Sequence, residues 1–240
     1  MKKLIALLLS TLMIFSLAAC SSAPAETTPP ETTAAPVQET TAAPTEAPTE
    51  VPVVTAKPLY SEILDSYFDA LLQGLSPAEY AEKGLNYLPG VVADLNEVGY
   101  VMDDLDGDGV SELMIGSVSD GLIYAMYTVR DDQEVQVIDA GERSTYQMTS
   151  DGLILNAGSN SAASHGYNLY NFTAGQLVFQ DGLVFDAGKD AQNPWFYTKS
   201  ETWEESALEP IDTETAESTE QNLLDSVVPV TFIPFSQYTT

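Results

Sequence analysis

The chain has 240 residues, 8 Lys and Arg against 36 Asp and Glu, and a formal charge of −28. So acidic a chain repels nucleic acid and anionic lipid headgroups, because no counterion release can drive their association. Cys20 is the only cysteine, which excludes an internal disulfide and a Cys-cluster zinc site.

Met1-Lys2-Lys3 precedes an apolar run from Leu4 to Leu17, closed by Leu17-Ala18-Ala19-Cys20. Early lysines, a short apolar core and small residues before a processing point are the parts of an export leader. The closing tetrapeptide resembles a bacterial lipobox. That resemblance implies removal of residues 1–19, a diacylglyceryl group on Cys20, and an extracytoplasmic protein lipid-anchored to the bacterial cell membrane. Each buried methylene contributes about 0.8 kcal/mol, so two or more acyl chains hold far more firmly than one. The competing readings are an ordinary secretory signal with an incidental Cys20 and an uncleaved anchor.

Residues 20–57 are built from Thr, Pro, Ala and Glu, with Glu31-Thr32-Thr33-Ala34-Ala35-Pro36 repeated as Glu39-Thr40-Thr41-Ala42-Ala43-Pro44. They offer almost nothing to bury. Proline-rich chain extends at roughly 3.1 Å per residue and the glutamates repel one another, so a disordered, semi-stiff tether is expected. The folded domain is then expected over residues 58–240, as a single α+β unit.

Tyr60, Ile63, Leu64, Tyr67, Phe68, Leu71 and Leu72 recur at helical spacing, with Gly74 placed to close the helix. Ser76-Pro77-Ala78-Glu79 has an N-cap serine, a proline in the first turn and a capping-box glutamate, predicting a second short helix. Downstream the period becomes that of strands. Runs at 113–116, 122–129, 135–138, 145–148, 153–155, 167–172, 176–179 and 183–185 are separated by turn-forming residues such as Arg130-Asp131-Asp132-Gln133, Thr173-Ala174-Gly175 and Gln180-Asp181-Gly182. The links are too short for crossover helices, so a dominant antiparallel β-meander is predicted, with the N-terminal helix or helix pair packed on it. Residues 122–129 are apolar on both faces and suit a central strand. Residues 201–221 read as an acidic loop leading to a weak helix near 215–226, and Val227 to Phe235 as a last strand at a sheet edge.

Between these regions stands Asp104-Leu105-Asp106-Gly107-Asp108-Gly109-Val110-Ser111-Glu112. Hard cations such as Ca²⁺ take six to eight oxygens, and a tight turn with a carboxylate on alternate residues aims several at one centre. The segment resembles the DxDxDG calcium loops of EF-hand relatives and of FG-GAP, or integrin-propeller, repeats. Position twelve, where an EF-hand has glutamate, is Ile115, and the acid at position nine is closer to the propeller type. The resemblance implies a structural Ca²⁺ held by Asp104, Asp106, Asp108, the Val110 carbonyl and Glu112, within the loop 104–112. The mature region as a whole resembles uncharacterised surface lipoproteins of Gram-positive bacteria with a DxDGDGxxEL segment.

Val101-Met102-Asp103-Asp104-Leu105-Asp106-Gly107-Asp108 also partly resembles the DxDGT motif of haloacid-dehalogenase phosphotransferases. Asp108 stands where that motif has threonine, and no alternating βα units follow. Ser164-His165-Gly166 holds the sole histidine, but adjacent residues of an extended segment face opposite ways, so Ser164 is a poor partner for it. Gly158-Ser159-Asn160-Ser161-Ala162 reads as a loop between strands rather than a nucleophile elbow. No catalytic residue is assigned. The expected function is a lipid-anchored binding or interaction domain for a glycan or protein ligand, with Tyr124, Tyr127, Tyr146, Tyr167, Tyr170, Trp195, Phe196 and Tyr197 as a candidate aromatic surface. A cell-surface hydrolase of glycan or cell-wall material and a solute-binding component of a transporter are the alternatives.

Overall fold

The computed structural model of the chain describes residues 58–86 and 94–239. The chain divides into two units, Met1–Val53 and Val54–Thr240, and all described residues belong to the second. The predicted leader, Cys20 and the tether to position 57 lie outside the described residues. Among those described, no helix is long and apolar enough to cross a membrane.

Helix α1 (Ser61–Gln73) ends on Gly74, whose left-handed backbone (φ 63°) lets its N–H reach the carbonyls of the last turn. Leu64, Tyr67, Ala70 and Leu71 are its buried face, and the i, i+3, i+7 spacing of the sequence is what lines them up. Helix α2 (Pro77–Glu82) starts with the capping box read from sequence, Ser76 N–H donating to Glu79 Oε2 at 2.8 Å.

The remaining chain forms β1 (Val98–Asp103), β2 (Glu112–Ser117), β3 (Ile123–Arg130), β4 (Gln133–Asp139), β5 (Ser144–Thr149), β6 (Ile154–Ser161), β7 (Ser164–Thr173), β8 (Gln176–Asp186), β9 (Trp195–Thr198) and β10 (Leu208–Pro210). Helix α3 (Thr213–Ser226) and two short strands, β11 (Val227–Val228) and β12 (Ile233–Pro234), follow. All twelve strands among the described residues join one sheet, ordered β10-β9-β8-β7-β6-β5-β3-β2-β1-β12, with β4 on β3 and β11 on β5. Every pairing is antiparallel. The fold is therefore mostly β, a single antiparallel sheet with few helices. Among the described residues it contains none of the parallel βα units that a haloacid-dehalogenase motif would open.

Local turn chemistry explains the tight connections. Asp131 and Asp132 (φ 52° and 59°) join β3 to β4, and Ala174 and Gly175 (φ 50° and 67°) join β7 to β8. Two successive left-handed residues match the twist of the flanking strands. Strand β3 is buried on both faces. Tyr124, Ala125 and Tyr127 share a cluster with α1, Val98, Leu113, Ile115 and Phe235, while Ile123 and Met126 share another with Met114, Ile138, Ile154 and Phe172. A third cluster joins Leu183, Trp195 and Ala216 of α3.

Several boundaries differ from the sequence reading. Gln180-Asp181-Gly182 makes no turn; it lies inside the continuous strand β8, where pairing of Asp181 and Gly182 to β7, and of Gly182 to β9, outweighs local turn preference. A register shift against Leu169 and Tyr170 absorbs the irregularity. Residues 158–161 extend β6, leaving Ala162 and Ala163 as the hairpin turn. The predicted last strand is split: Val227–Val228 pair with β5, and Ile233–Pro234 pair with β1 at the sheet edge.

Candidate metal centre

The acidic loop connects β1 to β2, which pair from Asp103↔Glu112 onward. Closing so short a connection turns the chain sharply, and Gly107 and Gly109 take left-handed backbone (φ 76° and 90°) to allow it. The turn then folds around the first carboxylate. Asp104 Oδ1 accepts the N–H groups of Gly107 (2.8 Å) and Asp108 (3.1 Å), and Asp104 Oδ2 accepts that of Gly109 (2.9 Å). Asp106 Oδ1 accepts from Asp108 N–H at 3.2 Å, and Asp108 Oδ1 from Val110 N–H at 2.7 Å.

These bonds bring one oxygen from each of Asp104, Asp106 and Asp108 within 4.8 Å of one another. Three carboxylates this close repel in the absence of a counter-charge. A cation between them would convert the repulsion into ligation, so the group could hold a metal ion. Its oxygens are hard donors. Asp104 and Asp108 are exposed and Asp106 half-buried, which leaves the centre open to solvent.

Two contacts anchor the loop to the sheet. Glu112 is 1% exposed; its Oε2 accepts from Leu105 N–H at 3.0 Å and its Oε1 from Thr128 Oγ1 at 2.9 Å. Burial pushes its pKa upward, the two hydrogen bonds act in the opposite direction, and the charges of Asp106 and Asp108 add to the rise. Glu112 is not one of the three acids whose oxygens converge; its carboxylate ties the start of the loop to β3. On the far side, Gly175 N–H of the β7–β8 turn donates to Asp106 Oδ2 at 3.3 Å. Buried Tyr60, just before α1, donates its hydroxyl to the Ser111 carbonyl at 2.8 Å, and desolvation together with the nearby Glu112 charge raises its pKa. The loop is thereby tied to α1, β3 and the β7–β8 turn.

The other residues singled out from sequence are dispersed. His165 stacks on Phe185 (4.8 Å between centroids, 21° between planes) and meets Trp195 edge-on. Tyr124, Tyr127, Tyr170, Trp195 and Phe196 are buried, and Tyr146, Tyr167 and Tyr197 half-buried, so the expected aromatic surface is largely core. Trp203, which the sequence reading passed over, is the aromatic that lines a polar cavity. Its signal was a lone tryptophan in the acidic stretch Glu201–Glu205.

No family model matches the chain, no curated protein matches it, and no solved structure matches it.

Proposed function

We infer that the protein is a lipid-anchored extracytoplasmic binding domain ordered by one calcium ion. The convergence of Asp104, Asp106 and Asp108 in a loop fastened at both ends is the observation that carries the ion. In this reading Glu112 and the Val110 carbonyl complete the ligand set, with Glu112 keeping one oxygen for Thr128. Calcium fits better than magnesium, which demands near-ideal octahedral geometry and gives up its waters reluctantly. The domain is an α+β unit whose N-terminal helix pair covers one face of the sheet. Cys20 carries the acyl chains, and residues 20–57 hold the domain away from the membrane.

Thermal melting in chelator, Ca²⁺ and Mg²⁺ at one ionic strength tests the ion. Only the folded loop converges these oxygens, so Ca²⁺ at a hundred times its dissociation constant adds about 2.7 kcal/mol, and Asp106→Ala loses most of that gain. Equal stabilisation of both proteins would reduce the effect to general screening of an acidic chain. Metabolic labelling with a fatty acid tests the anchor: Cys20→Ser loses the label and is released from the membrane. Label retained on the mutant rejects the lipobox reading.

A further inference from the structure

The cavity beside Trp203 is built on the sheet's own surface. Its floor comes from Asn156 and Gly158, alternate residues of one face of β6, with Ser159 and Asn160 at the register shift beyond them, next to Asn168 and Gly166 of β7, which pair with Asn156 and Gly158. Arg143, Glu201 and Trp203 form its walls, and its volume is about 620 Å³. Gly141 and Ser144 also line a second cavity of about 450 Å³, together with Asp120, Tyr124 and Thr145. Both volumes lie in the range of roughly 300–1,000 Å³ usual for ligand sites.

Two side chains of the lining are held in place by hydrogen bonds. Trp203 sits in left-handed backbone (φ 53°), an uncommon state for a bulky residue, and its Nε1–H donates to buried Asn168 Oδ1 at 2.8 Å. Its ring edge occupies the space over Gly166, where an added Cβ would lie 2.9 Å from Cζ2. The indole is thus fixed by a hydrogen bond and by a missing side chain. Asn156 is 8% exposed, and both of its Nδ2 hydrogens are used, on Ser144 Oγ (2.8 Å) and the Thr145 carbonyl (3.1 Å). Its carbonyl oxygen accepts nothing among the described residues and is the part of the side chain left to the cavity.

Gly158 points the same way. Its φ is not left-handed, and a Cβ there would meet only Asn156 Oδ1 at 3.7 Å and the Arg143 carbonyl at 3.9 Å, both ordinary contacts. A glycine inside a strand weakens it, and neither a positive φ nor packing around a Cβ demands this one, which leaves the floor open to close approach of a ligand.

We propose that this depression binds a neutral oligosaccharide, one sugar ring stacked on Trp203 and its hydroxyls hydrogen-bonded to Asn156, Asn160, Arg143 and Glu201. A fixed aromatic plane beside amide, guanidinium and carboxylate groups suits a ligand with apolar C–H faces and paired hydroxyls. The second cavity gives room for further sugar units. Polyanionic glycans are repelled by a chain of charge −28. A peptide adding as a strand finds no edge here, because β6 and β7 are paired on both sides. The proposal rests on the binding-domain reading and is independent of the calcium ion.

The test measures binding of the intact chain, by calorimetry and tryptophan fluorescence, to hexasaccharides of β-1,4-linked glucose, xylose and N-acetylglucosamine, and to an array of random octapeptides. At least one hexasaccharide binds and shifts the fluorescence. Trp203→Ala and Gly158→Ala each weaken that binding tenfold or more, and Gly158→Ala keeps its melting temperature, since a Cβ at that position meets only ordinary contacts. Undiminished binding by both variants overturns the site. Octapeptide binding without saccharide binding overturns the ligand class and leaves the binding-domain reading standing. Binding of neither kind of probe overturns both.

Discussion

The acidic loop and the Trp203 depression differ in how far apart in the chain their parts lie. Within the loop, the carboxylates of Asp104, Asp106 and Asp108 accept N–H groups two to five residues further on. In the depression, Ser144, Asn156, Asn168 and Trp203 meet only because β5, β6 and β7 pair and the turn after β9 folds back over them. A site assembled by neighbours in sequence can be read from the spacing of its residues. One assembled by strand pairing cannot, because each of its residues alone has an ordinary explanation: asparagine in a strand, glycine near a turn, tryptophan in a loop.

Both regions stand on the same sheet, and that shared support is the first thing to break. Leu113 is fully buried in β2, directly after Glu112 and packed in the cluster with α1. Leu113→Ala should cost about 2–5 kcal/mol through lost burial and the cavity left behind. Urea unfolding followed by tryptophan fluorescence and by far-UV circular dichroism should still give coincident transitions. If the fluorescence of Trp203 and Trp195 stayed native while β-structure was lost, the two regions would be separate units.

A finer variant sharpens the contrast between the loop's anchor and its ion. Glu112→Gln keeps the shape of the side chain, its amide oxygen accepting from Leu105 N–H and its NH₂ donating to Thr128 Oγ1. In chelator the variant should melt within about 1 kcal/mol of wild type, because a buried charge is removed while both contacts persist. In Ca²⁺ it should lose much of the gain if Glu112 is a ligand. A full calcium response from Glu112→Gln would confine the centre to the three aspartates.

The smallest expected effect concerns the turn that touches the loop from outside. Ala174 is held at φ 50°, next to Gly175, whose N–H reaches Asp106. Left-handed backbone costs a residue with a Cβ about 1–2 kcal/mol, and glycine returns part of that as unfolded-state entropy, so Ala174→Gly should stabilise by about 0.5–1 kcal/mol. Differential scanning calorimetry reads it. A lower melting temperature would mean that stiffness of this turn holds Asp106 in place.

Helix α1, its glycine stop, the capping box of α2 and the turns at Arg130–Gln133 and Thr173–Gly175 were legible in the chain, since each rests on side chains within a few residues of one another. The three aspartates belong to the same class: their alternation and the two glycines are enough to fold the turn around Asp104. Strands β1 and β9 were not foreseen. Val98–Asp103 and Trp195–Thr198 are short and carry no strict alternation, and what makes them strands is the partner on either side. The same holds for β8, continuous across Gln180-Asp181-Gly182 because β7 pairs with Asp181 and β7 and β9 both pair with Gly182, and for the tail divided between β5 and β1.

The sequence by itself determined the acidity, the turn chemistry, the helical stripe and the carboxylate loop, all set by local backbone preference and the spacing of like groups. Only the tertiary structure decided that Glu112 would be buried against Thr128, that the aromatic residues would go largely to core, and that Trp203 would close over Gly166. Those outcomes depend on which strands become neighbours. That choice is made by the summed burial of three hydrophobic clusters and the pairing of every strand's backbone groups, quantities that no window of the chain contains.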